Sequence, residues 1–223
     1  MTFTWDKLDY WQSGERQVVR DRLTDLTTQG KLYNPAPHNV FKALMEVPFD
    51  KVNVIIVGQD PYPDPELATG IAFDIPSQVP YSSWPPSLRN FLKEYQSDLG
   101  LPAPTSGRLA SWVEQGVLLW NCIPTCTSWK PLSHDWEEYQ PLTKEIITRL
   151  SERGGVVFVF LGGRAREFAK YADEDDYVIE ASHPSPRALM NKTTRKPFVG
   201  SRIFSIINEY LVSMQKEPIN WRL

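Results

Sequence analysis

The chain has 223 residues, 41% of them hydrophobic and 23% charged, with a formal net charge of −3. That length can bury a sizeable core, the composition excludes a disordered chain, and no apolar run approaches a membrane span. Two cysteines, Cys122 and Cys126, with His38, His134 and His183, offer no disulfide framework, iron–sulfur cluster or zinc pattern.

The N-terminus, MTFTWDKLDYWQ, has no secretory pattern, and a cytoplasmic protein is expected. Residues 12–30 read as a polar helix ended by Gly30. Asn34-Pro35-Ala36-Pro37 is a turn opening a second helix with Phe41, Leu44 and Met45 on one face. The apolar run 52–57 is the first strand. A helix from Pro85-Pro86-Ser87 to Gly100 carries Leu88, Phe91, Leu92, Tyr95 and Leu99 at helical spacing. Leu109, Trp112 and Val113 mark a short helix, and strand 117–120 follows. After a loop over 123–134, Asp135 with Glu138 resembles a capping box for a helix with the stripe Tyr139, Leu142, Ile146, Ile147 and Leu150. Strand 156–161 runs through Gly162-Gly163 into a helix containing Phe168. Strand 177–181 and a last helix, about 201–214, complete the chain.

Strands alternating with helices predict an α/β fold, a single domain whose central, mainly parallel four-stranded sheet has helices on both faces. Residues 1–49 would form an N-terminal helical part and 50–223 the α/β core. The expected core strands are 52–57, 117–120, 156–161 and 177–181, short unbroken apolar runs as doubly covered strands require.

Three of these strands end in polar residues, and an α/β sheet places its chemistry at such ends. The first delivers Gln59 and Asp60 into Pro61-Tyr62-Pro63. An ordinary loop aspartate is a cap, but Pro61 bars Asp60 from helical geometry and holds its carboxylate beside Tyr62. The second ends at Asn121, whose carboxamide donates and accepts at once and so suits the edge of an amide-like heterocycle. The fourth leads to Ser182-His183-Pro184-Ser185-Pro186, a proline-stiffened loop with hydroxyls for anionic oxygens. Phe73 is either core or a stacking face for a planar ring. The basic run Arg187, Lys192, Arg195, Lys196 and Arg202 follows directly, with no acid within it. Together these residues describe a pocket for a planar heterocycle on a phosphate backbone.

The strings GQDPYP at 58–63, GIAF at 70–73, PPSL at 85–88, GVLLWN at 116–121, HPSP at 183–186 and the terminal PINWRL resemble the family 1 uracil-DNA glycosylases. They stand in that family's order from about residue 50 onward. Pro63, where many members have His, resembles the actinobacterial branch. The resemblance implies cleavage of the N-glycosidic bond of uracil in single- or double-stranded DNA, leaving an abasic site, with no metal and no cofactor. It implies a monomer and, as a partner, a proteinaceous glycosylase inhibitor.

Carried over by position, Asp60 stabilises positive charge on the sugar and orients water, and His183 donates to uracil O2. Asn121 reads uracil O4 and N3–H, Phe73 stacks on the ring, Tyr62 fills the space of thymine's methyl group, and Gln59 lies on the uracil-O2 and water side. DNA contacts fall to Pro86, Ser87, Gly163, Arg164, Ser185, Pro186 and Arg187. The chain departs from the family at Arg187, where Leu usually wedges into the gap left by the flipped base. It departs also at 122–136, where many members carry a longer segment, and at Gly163-Arg164, which stands for a Gly-Ser turn.

An inactive DNA-binding scaffold on the same fold is the alternative, and intact Asp60, Asn121 and His183 argue against it. An aspartyl phosphatase would favour a carboxylate at position 62, which is Tyr. The zinc signature of nucleobase deaminases is absent.

Overall fold

Four short apolar runs become the strands of one parallel sheet in the computed structural model, which describes residues 3–191 and 196–223. Lys192 and Arg195 of the basic run lie outside the described residues. Helix α1 (Gly14–Thr28) is capped by Ser13, whose Oγ accepts the Arg16 N–H at 3.1 Å. The two-residue strand β1 (Tyr33–Asn34) comes next, then helix α2 (Lys42–Glu46). Strand β2 (Val54–Gly58) leads through a long loop to helix α3 (Pro86–Leu99) and helix α4 (Ala110–Val113). Strand β3 (Val117–Asn121) and the short strand β4 (Cys126–Thr127) precede helix α5 (Gln140–Arg153). Strand β5 (Val157–Leu161), helix α6 (Gly163–Arg166), strand β6 (Tyr177–Ala181), helix α7 (Pro186–Leu189) and helix α8 (Ile203–Ser213) follow.

The sheet order is β3-β2-β5-β6, every neighbour pair parallel. All five residues of β2 and of β5 are buried, because helices cover both faces. The connection after β2 leads toward β3 on one side and that after β5 toward β6 on the other. The topological switch therefore falls between β2 and β5, where an open α/β sheet forms its ligand crevice. The strand pair β1–β4, antiparallel, was not expected from sequence.

Three local expectations give way. Phe168 lies past the end of α6, not within a helix, because that helix stops after four residues. Asp135 and Glu138 do not cap α5: Asp135 pairs with Arg164, and Glu138 pairs with Arg22 at 2.7 Å. The helix starts instead behind a 3-10 turn, Glu137–Tyr139, with Pro141 in its first turn. The second helix is broken into a 3-10 turn and α2. Leu44 is buried there, but Met45 is 72% exposed, because a five-residue helix offers the core too narrow a face to include it.

Helix α3 has a buried exception on its apolar stripe. Glu94, 3% exposed, accepts the backbone N–H of Gly200 at 2.7 Å and of Arg202 at 2.9 Å. One turn on, Asp98 accepts the Ser205 N–H at 2.9 Å. Two carboxylates of α3 thus satisfy orphan donors at the start of α8 and complement its dipole. Glu94→Ala takes the carboxylate acceptor from two N–H groups and is expected to lower unfolding free energy by about 2–4 kcal/mol. Urea denaturation reads this, with exposed Glu114→Ala as the control; equal midpoints for the two variants would remove the anchoring role.

Candidate active site

The parallel register sets the site. It places Gly58 at the end of β2 opposite Asn121 at the end of β3, and Leu161 opposite Ala181 at the ends of β5 and β6. The residues that follow open one cleft of about 800 Å³. Its lining includes Gln59, Asp60, Tyr62, Phe73, Asn121 and His183. Pro86 and Ser87 from the start of α3, Gly163 from α6, and Ser185, Pro186 and Arg187 from the start of α7 join them. Of the site residues that the family resemblance implies, only Arg164 lies outside this lining. Its guanidinium turns to Asp135 and to Glu167.

Gly58 is required by close approach. A Cβ there would stand 2.8 Å from Asn121 Oδ1 and 3.1 Å from the Phe73 ring. Gly162 is required by conformation and space together: its φ is 98°, and a Cβ would meet His183 Cβ at 2.9 Å. Asn121, Phe73 and His183 can therefore converge where two strand ends carry no side chain.

Asp60 accepts from Gln59 Nε2 at 3.2 Å and from the backbone N–H of Leu132 at 2.7 Å. Burial holds its carboxyl above the usual range, and these two donors pull the other way. The loop supplying Leu132 is itself clamped. The Trp129 N–H donates to Pro63 O at 2.7 Å, and Asn34 Nδ2 donates to the same oxygen at 2.6 Å. Buried His134 bridges Thr125 Oγ1 at 2.8 Å and Thr127 Oγ1 at 2.9 Å and stacks on Trp136. Trp129 and Leu132 both adopt left-handed backbone, with φ of 66° and 59°. Such geometry in non-glycine residues persists only where the surroundings enforce it.

His183 Nδ1 accepts the backbone N–H of Ser185 at 3.1 Å. The imidazole is then neutral, with its proton on Nε2. Burial lowers its pKa to about 4, consistent with that state. The loop is tied to α3 by Asn90 Nδ2, which donates to Pro184 O at 2.8 Å. The Asn121 carboxamide has no hydrogen-bond partner among the described residues, so its donor and acceptor both remain available to a ligand in the cleft. Phe73, also left-handed with φ 64°, lies flat on Phe91, ring centroids 4.7 Å apart and planes within 3°. Tyr62 Oη donates to Phe73 O at 3.3 Å, fixing one wall to the other.

Burial of the two thiols, Cys122 and Cys126, raises both to about 12, so neither is a nucleophile near neutral pH. No group of three or more His, Cys, Asp or Glu among the described residues could hold a metal ion. Sequence reasoning missed Asn34, the Leu132 amide and Arg166, which also lines the cleft. The first was read only as a turn residue, the second is a backbone group with no sequence signal, and the third stood behind the more obvious Arg164.

The model of the uracil DNA glycosylase superfamily matches residues 45–204. A uracil-DNA glycosylase of Thermobifida fusca is 40% identical over 91% of this chain and 86% of its own length. A uracil-DNA glycosylase 1 of Streptomyces avermitilis is 39% identical over 95% of this chain and 90% of its own. Among solved structures, mimivirus uracil-DNA glycosylase superposes with a TM-score of 0.86 at 27% identity, covering 96% of this chain and 85% of that one. A mimivirus variant crystallised with UGI also gives 0.86. Matched by that model through the whole cleft and by relatives along nearly its full length, the chain belongs to the uracil DNA glycosylase superfamily.

Proposed function

We propose that the protein hydrolyses the N-glycosidic bond of uracil in DNA, leaving an abasic site. The observation that carries this reading is the unpartnered Asn121 carboxamide in one cleft with a neutral imidazole and a held carboxylate. As the bond breaks, its electron pair passes to the base, which leaves as an anion, and the sugar becomes cation-like. A catalyst must stabilise both signs at once. His183 Nε2–H donates to uracil O2 as negative charge builds, and Asp60 faces the cationic sugar and takes a proton from the water that adds to it. Asn121 accepts from N3–H and donates to O4. Cytosine offers the reverse pattern and is rejected. Phe73 stacks on the ring, Tyr62 closes the space a thymine methyl would need, and Gln59 supports Asp60.

Reaching this cleft requires that the nucleotide leave the stack. Pro86, Ser87, Gly163, Ser185 and Pro186 sit where the backbone would be gripped, and exposed Arg187 takes the position of the wedge. The substrate is uracil-containing DNA; we place the enzyme in the cytoplasm as a monomer. The UGI complex of the mimivirus relative supports a proteinaceous inhibitor as a partner. No helix of the described residues is long and apolar enough to cross a membrane.

Alkali-induced cleavage of a single-stranded oligonucleotide carrying one uracil tests the reading in EDTA. Wild type should cleave, and Asp60→Asn should lose roughly 10²-fold or more. A folded wild type that binds DNA without cleaving it would make the protein a scaffold. Tyr62→Ala should release thymine as well as uracil; undetectable thymine release alongside intact uracil release would reject the wall.

The pH profile separates the two catalytic groups. Asp60 works as the carboxylate, and its pKa is raised, so the rate falls as pH drops through a value above the ordinary carboxylate range. His183, depressed to about 4, is already neutral at its usual value and adds no limb there. His183→Gln should slow single turnovers at every pH and leave the acid limb in place. A limb that moves or vanishes in this variant would give it to the imidazole instead.

A further inference from the structure

The Gly162-Gly163 turn sends out two arginines, and they meet different surroundings. Arg164 is engaged with Asp135 and Glu167 on the outer side. Arg166 lines the cleft. Among the described residues it has no acidic partner, and its Nε is sealed from solvent without a hydrogen-bond acceptor. A guanidinium cannot shed its proton, and a buried N–H with no acceptor is costly. The Nε is closed to the cleft as well, so any contact the side chain makes there falls to the rest of the guanidinium.

The surroundings offer this cation no acid among the described residues. The Arg166 N–H donates to Gly162 O at 3.0 Å, so Arg166 stands one turn from the glycine against which His183 packs. The two carboxylates of the cleft are engaged elsewhere. Asp60 holds Gln59 and the Leu132 amide; Asp74 holds Arg108 at 3.1 Å and the Leu109 N–H at 2.7 Å. A cation with no internal counter-ion, on the wall of a cleft that takes a nucleotide, fits a phosphodiester.

We propose that Arg166 grips a phosphate of the DNA strand beside the nucleotide seated in the cleft, the DNA contact that the family resemblance implies for Arg164. The contact rests on the glycosylase reading for its ligand. It binds and positions the strand and takes no part in bond cleavage.

The test compares wild type, Arg166→Met and Arg166→Lys. Binding to a fluorescent uracil-free single strand is followed by anisotropy across a salt series, so that it does not depend on activity. Arg166→Met should bind about tenfold more weakly at low salt. The slope of log affinity against log salt should flatten by roughly 0.7, the share of one phosphate. Arg166→Lys should recover part of both. Inhibition of strand cleavage by free uracil should be unchanged. The melting temperature of Arg166→Met should not fall, since methionine removes the stranded N–H. In an oligonucleotide scan, replacing one phosphate by neutral methylphosphonate should weaken wild type and not weaken Arg166→Met further.

Unchanged affinity and slope in Arg166→Met would overturn the contact, as would weaker uracil inhibition, which would aim the side chain at the base. A fall in melting temperature with an affinity loss that Lys does not recover would make Arg166 structural. If the anisotropy results hold while wild type releases no uracil, the phosphate contact stands and the glycosylase reading falls.

Discussion

Burial of the cleft acts on Asp60 and His183 alike, pushing each toward its neutral form, and the proposed chemistry needs opposite results. The imidazole is best left neutral, as a donor at Nε2, so desolvation alone suits it, and the Ser185 amide only fixes the tautomer. The carboxylate must keep its charge against the same desolvation. It does so through two donors, of which the Leu132 amide is the shorter at 2.7 Å. That one backbone group explains why a loop remote in sequence is pinned to the Asp60–Pro63 turn at so many points. It also explains why two large residues, Trp129 and Leu132, are held in left-handed backbone there.

The opposite wall is stiffened by packing rather than by hydrogen bonds. Phe73 lies on Phe91, which stacks in turn on Phe198 at 5.8 Å and meets Phe204 edge-on at 5.3 Å. Trp112 and Trp221 close the cluster, and the Trp112 indole N–H donates to Trp221 O at 2.9 Å. Each of these rings is buried. A ring backed by close-packed aromatic layers cannot tilt without displacing the core, so the face that Phe73 turns to the cleft is preorganised. The C-terminal segment thus bears on the cleft without lining it.

The sheet was legible because doubly covered strands are short unbroken apolar runs, and all four appear within two residues of where the pattern puts them. The site was legible for the same reason: Asp60, Asn121 and His183 follow directly where such runs stop. What escaped was set by tertiary contact. The β1–β4 pair is two residues long and has no periodicity to read. Asp135 and Glu138 have the spacing of a capping box, but each meets an arginine from a distant segment, and the helix begins only at Gln140. Arg164 and Arg166 are equivalent in sequence, both basic and just past a glycine pair. Only the direction each leaves a four-residue helix separates them, and that depends on where Asp135 and Glu167 happen to lie.

A protein with net charge −3 must still receive a polyanion, and the fold resolves this by placing charge along the strands. The acidic run Asp173 to Asp176 immediately precedes Tyr177, the first residue of β6, while His183 and the cleft follow its last residue, Ala181. Acids and cleft therefore lie at opposite ends of the sheet, about 16 Å apart for a five-residue strand. That exceeds the Debye length of roughly 10 Å at 0.1 M ionic strength, so the acids are largely screened from anything entering the cleft. At the cleft end Asp74 is paired with Arg108, leaving Arg166 and Arg187 as the lining arginines without a paired acid among the described residues. The overall charge is thus a poor guide to what the protein binds. The sign that matters is local, and it is set by which end of a strand each residue occupies.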